Sequence, residues 1–211
     1  MGIAYRVMYR LGFHPWDRML PKELADVVTA LPPGRALDLG SGLGTKAIFM
    51  ATHGWNVTGI EYVPRALEEA RRRASKAGVK VDFRRGDVTR LGDLKLEPGY
   101  NLVFDFGCFH GLKSPQRDAY VQGVNALAAP GATLLMMAFT KPVPPITAGV
   151  TETEILERFG PGWKKAWSHT AEVDDGSAVT GAACPAGSAW SGNSRVKVPP
   201  HRVGRSGGGI D

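Results

Sequence analysis

Short apolar runs alternate with segments whose apolar residues recur at helical spacing over most of this chain. Residues 35–39, 56–60, 80–84, 100–106 and 132–139 read as strands, and 100–106 is almost wholly apolar, as in a strand buried on both faces. Residues 22–31, 45–52, 64–76, 114–128 and 151–159 read as helices. The punctuation agrees: Pro32-Pro33 stops the first helix, Gly54 ends the second, and Pro64 and Gly78 bracket the third. Ser114-Pro115 opens the fourth, Pro130-Gly131 turns the chain, and Thr151 with Glu154 makes a capping-box start for the last. Strands and helices in this alternation imply an α/β fold, a doubly wound, mostly parallel sheet with helices on both faces. Ligands bind such sheets beyond the strand C-termini, so residues 38–44, Glu61, Asp87 and 105–110 are the places to look for chemistry.

From Ala171 onward the pattern fails, because Asp174-Asp175-Gly176-Ser177, Gly181-Ala182-Ala183-Cys184-Pro185 and Gly207-Gly208-Gly209 break any period. The expected organisation is one domain over residues 1–170, with 1–20 as a covering segment and 171–211 as an irregular tail. Two readings fit the tail: a flexible segment, or a reading frame that slipped near residues 165–168.

Composition narrows the class. With 211 residues, 43% hydrophobic and 22% charged, the chain suits one soluble globular domain. No stretch is long enough to span a membrane, and residues 1–13 lack the apolar run and cleavage site of a signal peptide. Cys108 and Cys184 alone make no disulfide framework, which suits a reducing, cytoplasmic setting. The net charge of +6 raises nucleic acid as a partner. The excess is diffuse, however, spread over Arg71-Arg72-Arg73, Lys164-Lys165 and Arg195, Lys197, Arg202 and Arg205 without interleaved aromatics, so nucleic acid is disfavoured.

Chemistry concentrates where the first strand runs into Gly40, Gly42 and Gly44. A glycine turn of this kind serves NAD, a nucleotide phosphate or S-adenosylmethionine, and its neighbours decide among them. The dinucleotide fingerprint needs its third glycine where Thr45 stands, and Asp38 adds an anion where a pyrophosphate would lie. A cationic amine would be attracted by the same carboxylate.

Asp38-x-Gly40-x-Gly42-x-Gly44 resembles motif I of the class I S-adenosylmethionine-dependent methyltransferases, and the later motifs follow in that family's order over about residues 31–139. Glu61 closes the second strand where a carboxylate accepts both ribose hydroxyls, and Arg85-Gly86-Asp87-Val88 is similar to the loop that holds adenine. Asn101-Leu102-Val103-Phe104-Asp105 is similar to the motif IV strand. The resemblance implies cofactor contacts from Asp38, Gly40, Ser41, Gly42 and Gly44, then from Glu61, Tyr62, Asp87, Val88 and Asp105.

Within the family, Asp105-Phe106-Gly107-Cys108-Phe109-His110 lacks the Pro-Pro-aromatic signature of base-amino methylation and looks like the thiopurine and tellurite-resistance type. Phe13-His14-Pro15-Trp16-Asp17 resembles the segment those enzymes fold over cofactor and substrate, and Phe106 stands where they commonly have arginine. The resemblance therefore implies methyl transfer from S-adenosylmethionine, leaving S-adenosylhomocysteine, to O, S or N of a small molecule by in-line displacement. His110 is expected as a base or as an orienter of the acceptor, Asp105 as a second catalytic candidate, and His14, Trp16, Phe109 and His110 as the substrate pocket. No metal is implied. An RNA acceptor and a cofactor-binding module without catalysis are the rivals, and oligomeric state stays open. The family usually adds an antiparallel pair of strands after the fifth; only residues 163–170 offer a candidate, so an exposed sheet edge is expected.

Overall fold

The computed structural model describes residues 17, 19–144, 147–173 and 176–185. The first half runs α1 (Lys22–Ala30), β1 (Arg35–Leu39), α2 (Thr45–Thr52), β2 (Asn56–Glu61), α3 (Pro64–Lys76) and β3 (Asp82–Arg85). The second runs β4 (Tyr100–Phe106), α4 (Ser114–Leu127), β5 (Ala128–Phe139), α5 (Glu152–Phe159), β6 (Trp163–Val173) and β7 (Gly176–Pro185). Single 3-10 stretches follow β3 at Val88–Leu94 and β4 at Phe109–Gly111.

The strands lie in the order β3-β2-β1-β4-β5-β7-β6, with β1 to β5 parallel and β7 antiparallel to both its neighbours. From β1 the chain winds first toward β3 and then, by way of β4, toward β5. The winding therefore reverses between β1 and β4, and their C-terminal tips open the crevice where such folds take ligands.

Side-chain alternation assigns each strand residue to a face. Leu37 and Leu39, Val103, and Leu134, Met136 and Ala138 pack toward α4 and α5. Ala36, Leu102 with Phe104, and Leu135 pack toward α1, α2 and α3. The same period of two carries Asp38 to the α2 side and Asp105 to the α4 side. α3 shows how the helices meet this sheet: Pro64 sits at its first position, Ala66, Leu67, Ala70 and Ala74 are buried, and Arg73 and Lys76 occupy its last turn.

The expected elements lie within two residues of their observed bounds, with two exceptions. β5 begins at Ala128, not 132, because Pro130-Gly131 falls inside the strand where the pairing with β4 shifts register between Tyr100 and Leu102. The second exception is the tail. β6 runs to Val173, past the expected break at 171, and β7 is inserted between β5 and β6, pairing Leu134 to Phe139 with Ala183 to Ala178. The outer edge of β5 is thus paired, not exposed. A strand bonded on both edges needs no hydrophobic period, so its Gly, Ala and Ser residues gave no signal. Residues 186–211 of the expected tail lie outside the described residues.

Thr180 is paired to Met137 of β5 and to His169 of β6. Thr180→Pro deletes a ladder donor from this interior strand and is expected to cost about 1–3 kcal/mol. Urea unfolding measures it, with Thr180→Val as control; equal midpoints for the two would contradict the insertion of β7.

Candidate active site

The glycine turn is built by conformation first. Gly40, Gly42 and Gly44 have φ of 76°, 55° and 82°, a region that costs other residues about 1–2 kcal/mol each. The turn is pinned to β2, since the Gly40 and Ser41 N–H groups both donate to the Ile60 carbonyl at 2.9 Å. At Gly44 space is also short: a Cβ there would lie 2.7 Å from Phe83 Cζ and 2.9 Å from the Ala70 Cβ. That glycine lets α2 start against β3 and α3.

Three carboxylates stand at the tips of β1, β2 and β4, all nearly sealed from solvent. Glu61 is anchored by the backbone: its Oε2 accepts from the Gly42 N–H at 3.0 Å and its Oε1 from the Val63 N–H at 2.8 Å. Burial raises its pKa, and these N–H groups together with that of Tyr62 oppose the rise. Asp105 is anchored likewise, accepting from the Cys108 N–H at 2.7 Å, the Phe109 N–H at 3.1 Å and the Tyr120 hydroxyl at 2.7 Å. Burial nevertheless pushes it up to about 6.

Asp38 differs. It accepts from the Ala47 N–H of α2, while its Oδ2 is buried without a hydrogen-bond partner. Burial, then the charges of Asp105 and Glu61, push it up to about 7, against the pull of Lys46. Ser41 Oγ in the same turn is also buried and unpartnered. A polar atom left so costs about 1–3 kcal/mol, which a ligand bringing donors would recover.

Lys46 enters from the first turn of α2. Its Nζ lies 3.3 Å from the Asp17 carbonyl and 4.9 Å from the centre of the Phe106 ring. Burial lowers its pKa, countered by Asp38 and Asp17. Asp17 also accepts from Thr45 Oγ1 at 2.8 Å and pairs with Arg73 at 2.7 Å, so the chain before α1 is tied to the starts of α2 and the end of α3.

A family model described as a methyltransferase domain matches residues 36–131, from the start of the glycine strand into β5. The 2-heptyl-1-hydroxyquinolin-4(1H)-one methyltransferase of Mycobacteroides abscessus is 28% identical over 156 residues, 71% of this chain and 68% of that protein. The ubiquinone biosynthesis O-methyltransferase of Hahella chejuensis is 28% identical over 177 residues, 77% and 73% of the two chains. The crystal structure of TehB from Haemophilus influenzae superposes with a TM-score of 0.69 at 16% identity, covering 79% of this chain and 63% of that one. A methyltransferase domain thus spans the glycine strand to β5, and the chain is an S-adenosylmethionine-dependent methyltransferase. S-adenosylmethionine is its cofactor and methyl transfer its activity.

In this methyltransferase the expected cofactor residues gather around the β1, β2 and β3 tips. Tyr62 packs on Leu43, Val63 and Ala66. Asp87 caps the turn after β3, its Oδ1 accepting from the Thr89 N–H at 2.9 Å and hydroxyl at 2.7 Å, and Val88 is buried behind it. Two expectations change. Asp105, expected among catalytic and cofactor contacts, is fully enclosed and hydrogen-bonded to its own turn and to α4, so it shapes the site from behind. Phe109, expected in the substrate pocket, belongs to the core, 5.1 Å from the Tyr120 ring and 6.1 Å from Phe159. Both lie on the α4 side, which the motif alone does not disclose.

Cys108 packs beside Gly40, and burial pushes its thiol well above the usual range, as befits an inert packing residue. His110 is buried in the turn after β4, held through its carbonyl by Arg117 at 3.1 Å and Thr147 at 2.6 Å. Arg117 also reaches the Gly149 carbonyl at 2.9 Å and Glu154 at 2.7 Å, securing the segment after β5. Sequence reasoning missed Lys46, Tyr120 and Arg117; a lone lysine in the apolar α2 was the one visible sign. His14 and Trp16 lie outside the described residues. Among the described residues no cluster of His, Cys, Asp and Glu suits a metal.

Gly44→Ala and Gly78→Ala share the cost of positive φ, at 82° and 69°, but a Cβ at Gly78 meets nothing within 4 Å. Thermal unfolding should therefore show about 1–2 kcal/mol lost at Gly78 and distinctly more at Gly44. Equal losses would contradict the close packing of α2 on Phe83.

Proposed function

We propose that this methyltransferase holds S-adenosylmethionine in the crevice between the β1 and β4 tips and passes its methyl group to O, S or N of a small molecule. The observation that carries the reading is Asp38 Oδ2, a buried carboxylate oxygen without a partner beneath the glycine turn. Its chemistry fits the cofactor's ammonium, and the backbone of Gly40 and Gly42, which carries no Cβ, fits close approach by the amino-acid portion. The remaining lone pairs of Glu61 suit the ribose hydroxyls, and Asp87, with one oxygen clear of its capping bonds, suits the adenine amine. Val88 and Tyr62 would flank the base and sugar.

When bound, the cofactor supplies a methyl on a cationic sulfur that departs as a neutral thioether. The protein's part is alignment and exclusion of water, worth about 7–11 kcal/mol in a near-attack geometry. Buried carboxylates at three strand tips give the crevice a negative potential that favours a cation. Asp105 and Arg117 position the turn that carries His110.

Two observations favour a small acceptor over RNA. The two relatives above are named for small molecules. Three of the four arginines of α3 are also engaged, Arg72 and Arg73 with Glu69, Arg73 with Asp17, and Arg71 with the Phe83 carbonyl, which offsets part of that helix's positive charge. A reducing, cytoplasmic setting suits the free Cys108 thiol.

Calorimetry with S-adenosylhomocysteine tests the cofactor assignment. Asp38→Asn should weaken binding at least tenfold. The proton count is diagnostic: with Asp38 at about 7, roughly half the unliganded protein is protonated there at pH 7, and an ammonium beside it favours ionisation. Binding at pH 7 should release up to about half a proton, read as a dependence of heat on buffer, and Asp38→Asn should abolish that release. Unchanged affinity and unchanged proton release in the variant would reject the role of Asp38.

A further inference from the structure

His110 ends the turn after β4 with one polar atom left over. Its Nδ1 lies 3.1 Å from the Phe139 backbone nitrogen, in line to accept that N–H. A peptide N–H can only donate, so Nδ1 bears no proton and the neutral ring carries its hydrogen on Nε2. Nε2 is buried and has no hydrogen-bond partner, in a residue only 2% exposed. It faces the bare side of Gly107, where a Cβ would fall 3.2 Å from His110 Cε1 and 3.8 Å from Nε2. Gly107 lies just past the β4 tip, and Cys108 next to it packs against Gly40 of the glycine turn. The orphaned donor therefore lies behind Gly107, one residue from the contact between Cys108 and the glycine turn.

The surroundings keep it a donor. Protonating Nδ1 would break the bond from Phe139. Arg117 from α4, bound to the His110 carbonyl, sets a positive charge nearby, and Thr147 brings only a hydroxyl to that carbonyl. From β5 come the Phe139 N–H and its ring, 5.0 Å away, and on the turn itself Asp105 is bound to the N–H groups of Cys108 and Phe109. Burial and Arg117 hold the imidazole down at about 4, so the Nε2–H form prevails at every physiological pH.

We propose, resting on the methyl-transfer reading above, that His110 donates a hydrogen bond from Nε2 to the methyl acceptor, and that this acceptor is an oxygen or sulfur acid already ionised near neutral pH. The electron count favours those atoms over an amine. An oxyanion or thiolate has three lone pairs, so one accepts from His110 while another attacks; an amine nitrogen has one, and a donor there would block it. Among the described residues of the β4 turn, Asp105 is already held by three donors and the Cys108 thiol stays protonated, so neither serves as a base. The step balances without one. A lone pair of the anion forms the new O–CH3 or S–CH3 bond, the old C–S bond pair returns to the sulfonium sulfur, and both products leave neutral at the reacting atoms with no proton moved.

Long-range proton–nitrogen NMR on histidine-labelled protein tests the first half: Nε2 should carry the hydrogen, with no titration between pH 5.5 and 9. A proton on Nδ1, or an imidazolium at pH 7, overturns the proposal. Binding to the S-adenosylhomocysteine complex tests the second half, with 1-hydroxyquinolin-4(1H)-one and 4-nitrothiophenol as ionisable probes and 4-aminoquinoline and 4-quinolinemethanol as non-acidic ones. The ionisable probes should bind more tightly as pH rises through their own pKa values and shift the Nε2 signal. His110→Gln, which keeps a donor, should stay within about threefold of wild type, and His110→Phe should lose at least tenfold in probe binding while S-adenosylhomocysteine affinity, which reports that the variant is folded, holds. Preference for the non-acidic probes, or no binding by either ionisable one, overturns the proposal. Cofactor heat measured on the same samples separates the failures: its presence without anion preference sinks the role of His110 alone, and its absence sinks the methyl-transfer assignment of the crevice as well.

Discussion

Negative charge held out of water at the ends of parallel strands is the constraint around which this molecule is arranged. A buried carboxylate must be given donors or be neutralised, and the three at the β1, β2 and β4 tips solve the problem differently. Glu61 takes the N–H groups of Gly42 and Val63, which fixes the glycine turn to β2. Asp105 takes two N–H groups of its own turn and the Tyr120 hydroxyl, which fixes that turn to α4. Asp38 is left short, with one oxygen unsatisfied and a proton half retained at neutral pH. The two satisfied carboxylates build the walls, and the unsatisfied one creates the demand for a cationic ligand.

Stability and function pull against each other at this point. The folded-state pKa of Asp38, raised from 3.8 to about 7, means that folding is penalised progressively as pH rises through that window and the carboxyl must ionise in the dry interior. His110 runs the other way. Its pKa, lowered from 6.5 to about 4, withdraws stability as pH falls through that range. Both groups thus carry their cost in the form that binds: an ionised Asp38 lacking a partner and a neutral His110 lacking an acceptor. Such costs are found where a ligand is expected to remove them.

Much of this was legible in the chain. The apolar runs placed β1, β2 and β4 to the residue or nearly so, and the spacing of Gly40, Gly42 and Gly44 after Asp38 located the crevice. What could not be read was direction. Whether Asp105 and Phe109 point to the ligand or into the core depends on which face of β4 meets α4, and Tyr120, 15 residues away, decides it. β7 was hidden for another reason: its place is set by backbone pairing on two edges, which leaves no periodic trace in a run of small residues. His110 was located but not its tautomer, since the Phe139 N–H that sets it comes from a strand 29 residues later.

The substitution at Phe106 illustrates how a site can keep its electrostatics while changing its residues. The resemblance places arginine at this position, and its loss suggests a missing positive charge. The cation arrives instead from α2, where Lys46 lays its ammonium 4.9 Å from the Phe106 ring and close enough to Asp38 to lower that carboxyl's pKa. The aromatic ring suits the exchange: its face attracts the ammonium and its edges keep water away. With Asp38 and Lys46 side by side the crevice offers both signs of charge within a few side chains, and a zwitterionic amino-acid group is the kind of ligand that answers both. Placing the lysine on the helix that follows the glycine turn, and not on β4, ties that charge to the glycine turn itself and leaves the β4 turn to be fixed by Asp105 and Arg117.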